Sequence, residues 1–287
     1  MSPPTTPHPA ERFVAPRSIM AGVPLKEVLG LDVIRLIGES FASVSPKFDA
    51  RAFVRAASRG LEALELNERG RHIGLALAEQ LPPTFRAASR VLLAAFGPEL
   101  SKTDGNGLAP FFYLPHAHLI SERGIDDFKQ GMAANYELTK RFTAEFSIRP
   151  FIVKYPDESL ELLAGWTQDA NPHVRRLVSE GTRPRLPWAM RLKAVQQQPQ
   201  LTLPLLEALK DDPQLYVRRS VANHLADILK DHPDMAYDIC ERWLNEVSRK
   251  QSSHAQSSAR KWIIRHAVRL PAKKGESRAV QLRLKAK

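Results

Sequence analysis

The chain has one cysteine, Cys240, among 287 residues. It can form no disulfide within itself and no cysteine-based zinc site, which suits a reducing compartment, and Cys240 is expected as a small core residue. Long apolar runs are missing as well. No stretch approaches the ~20 residues of a membrane-spanning helix, and the Pro-rich start, MSPPTTPHPAERFVAPRS, lacks the apolar run of a secretory signal. The expected location is the cytoplasm, or the nucleus of a host that has one, with no membrane partner. Alternating apolar–polar strand patterns are nearly absent. There is no Walker loop, no G-x-G-x-x-G fingerprint and no G-x-S-x-G elbow, so ATP and dinucleotide chemistry have no support and no cofactor is expected. His116 and His118 sit in an HAH triplet, but no carboxylate pattern accompanies them to complete a metal site. Acid is scarce relative to base: 42 Lys+Arg face 31 Asp+Glu, a net charge of +11. Such an excess draws a protein toward polyanions, nucleic acid first, with a membrane surface or ribosome as alternatives and plain solubility as the bland one.

What is present is helical periodicity. VLGLDVIRLIGESFASV, FDARAFVRAASRGLEAL, ERGRHIGLALAEQL and TFRAASRVLLAAFG follow one another from Lys26 onward, each separated by Gly or Pro. The second half repeats itself. Asp169–Glu180 (DANPHVRRLVSE) matches Asp212–Asn223 (DPQLYVRRSVAN) at an offset of 43 residues, and a degenerate third copy stands around ARKWIIRHAVRL. A period of about 40–47 residues with two helices per unit is that of HEAT-type repeats. The expected fold is therefore all-α, a HEAT-like helical-repeat solenoid forming a curved superhelix. Residues 1–23 are expected to be disordered or loosely draped. Residues 24–270 would form a single helical-repeat domain, with clear repeats from about 136, and 271–287 a basic tail.

In the second copy the core stripe is Val217, Val221, Leu225 and Ile228, while Tyr216, Ser220, Asn223 and Asp227 form a polar stripe. By the 43-residue register Glu180 takes the place of Asn223, so Glu180 and Asp227 are expected on one wall. Glu180 also precedes a Gly-Thr-Arg-Pro helix stop, where the negative end of the helix dipole disfavours a carboxylate by roughly 0.3–1 kcal/mol. A residue that breaks a local rule points to function; a salt bridge to Arg176 or Arg183 is the structural alternative. Glu145 has Arg141 and Arg149 four residues to either side, and a charge-paired helix position is its alternative. For Asp227 the alternative is a solvated surface acid. The cations Arg175, Arg176, Arg183, Arg218, Arg219, Lys261 and Arg265 recur in the repeat half. A stripe of this kind suits a phosphate backbone, whose neutralisation releases counterions; a solvated convex face is the alternative.

At FTAEFSIRPF, HVRRLVSEGTRPRLPW, YVRRSVANHLADILKDHP and WIIRHAVR the sequence resembles the AlkC branch of the AlkC/AlkD-like DNA glycosylases, from about Tyr136 to Leu270 with weaker likeness back to about Lys26. The resemblance implies a monofunctional enzyme that removes cationic N-alkylated bases, N3-methyladenine and N3-methylcytosine, from double-stranded DNA. It also implies that the base is not turned into a pocket. Carried over by motif, Glu145, Glu180 and Asp227 are the catalytic acids, Trp188 an aromatic wall and Arg176 a DNA contact. Two positions depart from the family pattern: Ser147, often Ala, and Ala226, often Asn. Some relatives also carry an immunoglobulin-like domain, which is not expected within the residues to Lys287. A base methylated at a ring nitrogen departs without a general acid and leaves an oxocarbenium-like sugar. A fixed carboxylate stabilises that cation and can orient water, while arginines hold the phosphates. Trp188 would add a cation–π attraction of ~0.5–2 kcal/mol, unless it is a core Trp after a Pro. The protein is expected to act as a monomer without metal or nucleotide. The rival classes are a non-catalytic helical scaffold that binds nucleic acid or an acidic protein, and an RNA-binding repeat.

Overall fold

A computed structural model describes residues 6–187, 189–248 and 253–287. Among them there is no β-strand; the elements are α-helices and short 3-10 turns. They divide into two compact units, Met1–Phe151 and Ile152–Lys287, although the sequence marked no break at that point.

The first unit is built on the helices Leu31–Val44, Ala50–Ser58, Leu66–Gln80, Phe85–Ala94, Leu114–Arg123 and Phe128–Thr139. Asp49, Thr84 and Asp127 cap three of them by accepting a backbone N–H within the first turn. Two helices meet closely because Gly74 has no side chain: a Cβ there would lie 2.6 Å from the Pro115 carbonyl oxygen. The core is aromatic. His116 belongs to it, its ring surrounded by those of Phe41, Phe96, Phe112 and Tyr113 at 5.1–5.8 Å, and burial pushes its pKa down to about 3. Part of the stretch expected to be loose is tied down: a short helix, Pro9–Arg12, packs on Leu31–Val44, and Arg12 pairs with Glu39.

The second unit is the repeat. Its helix pairs are Pro156–Trp166 with Pro172–Gly181, Leu203–Leu209 with Leu215–Asp231, and Pro233–Ser248 with His254–Ala267. The second member of each pair packs on its successor, Pro172–Gly181 on Leu215–Asp231 and that on His254–Ala267. Val217, Val221, Leu225 and Ile228 are buried between them, as the apolar spacing required. Cys240 lies in the core, its thiol pKa raised to about 12 by burial. The basic C-terminal segment forms a further helix, Ser277–Lys285, that buries Ala279 and Leu282, and the Tyr237 hydroxyl donates to Glu276 at 2.8 Å beside it.

The repeated Asp and first Arg explain how one unit joins the next. Asp169 accepts the backbone N–H of Asn171 at 2.7 Å, and Asp212 that of Gln214 at 2.8 Å. Arg175 donates to the carbonyls of Asp169 and Ala170, and Arg218 to those of Asp212 and Pro213. Arg175 then reaches across to Asp212, Nε to Oδ2 at 2.6 Å and Nη2 to Oδ1 at 3.2 Å, so one repeat is stapled to the next. Both partners are largely buried. Removing one side of such a pair strands the other charge, at roughly 3–5 kcal/mol. Asp212→Ala should therefore lower unfolding free energy by about that much, read by urea denaturation. A loss below about 1 kcal/mol would mean the staple contributes no more than a surface pair.

Candidate active site in the repeat unit

The Pro172–Gly181 helix ends where its Gly-Thr-Arg-Pro sequence stops it, leaving Glu180 in the last turn. Glu180 is nonetheless only 6% exposed. Arg183 Nη1 donates to Oε1 at 2.6 Å, Arg176 Nη2 lies 3.5 Å from the same oxygen, and the Ser220 hydroxyl donates to Oε2 at 2.6 Å from the next inner helix. Burial alone would raise the pKa of this carboxyl. Arg176 and Arg183, with the Ser220 hydrogen bond, outweigh it and hold the group below the ordinary carboxylate value.

Asp227 is 1% exposed and not a solvated surface acid. Arg183 Nε donates to its Oδ2 at 2.8 Å, and Lys230 to its Oδ1 at 3.0 Å. One guanidinium thus bridges two carboxylates that come from successive repeats. Glu180 and Asp227 do share a wall, as the register required, but they are joined through Arg183 rather than standing apart. Burial lowers the pKa of Arg183, and the two acids more than restore it.

His224 fixes the turn that carries Glu180. Its Nδ1 lies 3.0 Å from the Ser179 carbonyl oxygen and its Nε2 3.3 Å from Thr202 Oγ1. A carbonyl can only accept, so the neutral ring carries its proton on Nδ1. Burial, partly offset by the Ser179 carbonyl, lowers the His224 pKa to about 4.

The remaining expected residues are placed unequally. Glu145 is largely buried in the first unit, in a turn between Phe128–Thr139 and Arg149–Lys154 and not in a helix, and the Thr143 hydroxyl donates to its Oε2 at 2.7 Å. Arg141, read as its helical partner, turns instead to Glu137 and the Gly97 carbonyl. The guanidinium of Arg176 lies over the Tyr216 ring at 5.4 Å as well as near Glu180. Arg175 and Arg218 are engaged in the turns described above, so a phosphate would have to compete with those bonds. Arg219 is exposed, Lys261 and Arg265 half-buried, with Arg265 donating to the Ala286 carbonyl. Trp188 lies outside the described residues. Sequence reasoning missed Ser220, His224 and Arg269 as site residues. Ser220 was legible as a stripe position, and Arg269 stands two 43-residue steps beyond Arg183.

No family model matches the chain. The uncharacterized protein YhaZ of Bacillus subtilis (strain 168) is 32% identical over 259 residues, 90% of this chain and 67% of that protein. Among solved structures, Pseudomonas fluorescens alkylpurine DNA glycosylase AlkC bound to DNA containing an abasic site analog is similar with a TM-score of 0.79 and 36% identity. The match covers 91% of this chain and 68% of that one.

The low pKa of His224 fixes the sign of a pH dependence. Folded protein excludes a proton that the unfolded chain binds below its ordinary pKa of 6.5. The contribution of His224 is therefore constant above pH 6.5 and is lost as pH falls toward about 4, at up to ~1.4 kcal/mol per pH unit. Urea unfolding at pH 7 and pH 5 should show this slope in wild type and a shallower one in His224→Gln. Equal slopes would place the proton uptake elsewhere.

Proposed function

The chain belongs to the AlkC family of DNA glycosylases, and from that membership we propose that it hydrolyses the N-glycosidic bond of alkylated bases in DNA as a monofunctional enzyme. The observation that carries the chemistry is the buried pair Glu180 and Asp227, bridged by Arg183 inside a strongly basic chain. A base alkylated at a ring nitrogen, N3-methyladenine or N3-methylcytosine, is already a cation and needs no proton to leave. The barrier lies in the positive charge that develops on the deoxyribose. A carboxylate pre-oriented by Arg183, Arg176 and Ser220 faces that charge without reorganising, which is how electrostatic catalysis acts. Glu180 and Asp227 are assigned to the sugar, where a carboxylate also orients the attacking water, and the family resemblance assigns Glu145 as a third acid.

The cations counter the repulsion that these acids would impose on a phosphate backbone. Arg176 and the exposed Arg219 are assigned as DNA contacts, together with Lys261 and Arg265 on the helix of the third repeat. The family resemblance implies that the base is read without being turned into a pocket. The protein works as a cytoplasmic monomer on double-stranded DNA.

Release of free base from duplex carrying one N3-methyladenine or N3-methylcytosine tests this directly. Wild type should release base in single turnover. Glu180→Gln and Asp227→Asn should each be slower by about 100-fold or more, with affinity for the duplex kept or raised because a negative charge is gone. Tight, salt-sensitive binding without release from either lesion would leave a nucleic-acid-binding scaffold in place of an enzyme.

A further inference from the structure

Beside Asp227 lies a cavity of about 490 Å3 lined by four cations, Arg183, Lys230, Arg269 and Lys274. The two acids on its wall are engaged. Asp227 receives Arg183 and Lys230, and Glu276 accepts the Tyr237 hydroxyl. The repeat accounts for the space: Arg183 and Arg269 occupy the same register two repeats apart, and the position between them, 43 residues from each, is Ala226. A methyl group where neighbouring repeats carry guanidinium leaves the gap between the two arginines open.

Arg269, like Arg218 and Arg265, differs from several arginines of the unit. Arg175, Arg185, Arg260 and Arg278 each meet a carboxylate. The hydrogen bonds of Arg269 go to neutral acceptors, the His266 carbonyl at 2.6 Å and the Asn223 side-chain oxygen at 3.3 Å. Burial, then the like charge of Arg183, lower its pKa, and Asp227 offsets this only in part. A half-buried cation that lines one open cavity with another cation is complementary to an anion with two acceptor oxygens, which a guanidinium fork grips in parallel. Lys274 is exposed at the rim, where it can close on the same anion.

We propose that this cavity binds one backbone phosphate of the DNA strand, with Arg269 and Lys274 as its ligands. The proposal rests on the glycosylase reading for the presence of DNA and adds a contact that reading does not contain. A phosphate seated here lies next to the Arg183 bridge, so it registers the strand against the two acids and relieves the repulsion between Arg183 and Arg269.

The test is binding of duplex containing a tetrahydrofuran abasic analogue, with single phosphates on either side replaced in turn by neutral methylphosphonate. In wild type, replacing one particular phosphate should weaken binding about 10-fold, and in Arg269→Gln the same replacement should have no further effect. Arg269→Gln should also lower the salt dependence by about one counterion. Lys274→Gln, at an exposed position, should reproduce a smaller part of both effects. Unchanged affinity and salt slope in both variants, or no phosphate whose replacement couples to Arg269, overturns the proposal. So does competition by inorganic phosphate at fixed ionic strength without such coupling, which would mark a site for a free anion. Base release by wild type, measured in parallel, separates the two claims. Coupled binding without release removes the glycosylase reading and leaves the phosphate site. Release without coupling does the reverse, and wild type that binds no duplex removes both.

Discussion

Arg183 is the residue on which the site depends. Two carboxylates buried within reach of one another would repel and take up protons unless a cation lay between them. Arg183 supplies it, with Nη1 on Glu180 and Nε on Asp227. The planar fork makes this possible, since a lysine offers one point of charge and could not address two acids in fixed geometry. The clamp also settles the unfavourable position of Glu180 at a helix C-terminus. The dipole penalty is small beside three partners that bind the carboxylate.

The rest of the unit places the parts of that clamp. The Asp212–Arg175 staple sets one repeat against the next. The register of 43 then brings Glu180, from one inner helix, to Ser220 on the following one. His224 ties the Ser179 carbonyl and so holds the last turn from behind. Electrostatic catalysis of this kind draws its effect from groups that are already oriented when charge develops. Each of these contacts is one that the deoxyribose does not have to make for itself.

The all-helical fold and the repeat were legible because apolar spacing and a duplicated Asp-x-x-x-x-Val-Arg-Arg segment record them locally. The shared wall of Glu180 and Asp227 followed from the same arithmetic. What could not be read was which partner each charged side chain chooses. Arg175 and Arg218 looked like phosphate ligands because they repeat, yet each binds the carbonyls of the turn within its own helix pair. Arg183 looked like one more cation of the basic stripe, and only the three-dimensional approach of two helices makes it the bridge. The 271–287 segment was legible only as a basic tail, while a few buried side chains, Ala279 and Leu282 among them, suffice to dock the last helix. Glu145 was read from its i±4 arginines as a possible helix pair, but Pro150 and the turn before it take it out of helical geometry.

The claim at the centre of this account is that Arg183 keeps Glu180 charged and aimed. The measurement that tests it most directly is the pH dependence of single-turnover base release in wild type and Arg183→Gln, at saturating protein. With the clamp in place, release should hold its rate down to pH values below the ordinary carboxylate range. Without it, burial is no longer offset by Arg183, so the acid limb should move to higher pH along with a loss of rate. An acid limb that stays where it is in Arg183→Gln would contradict the account and leave Arg183 a DNA contact like its neighbours.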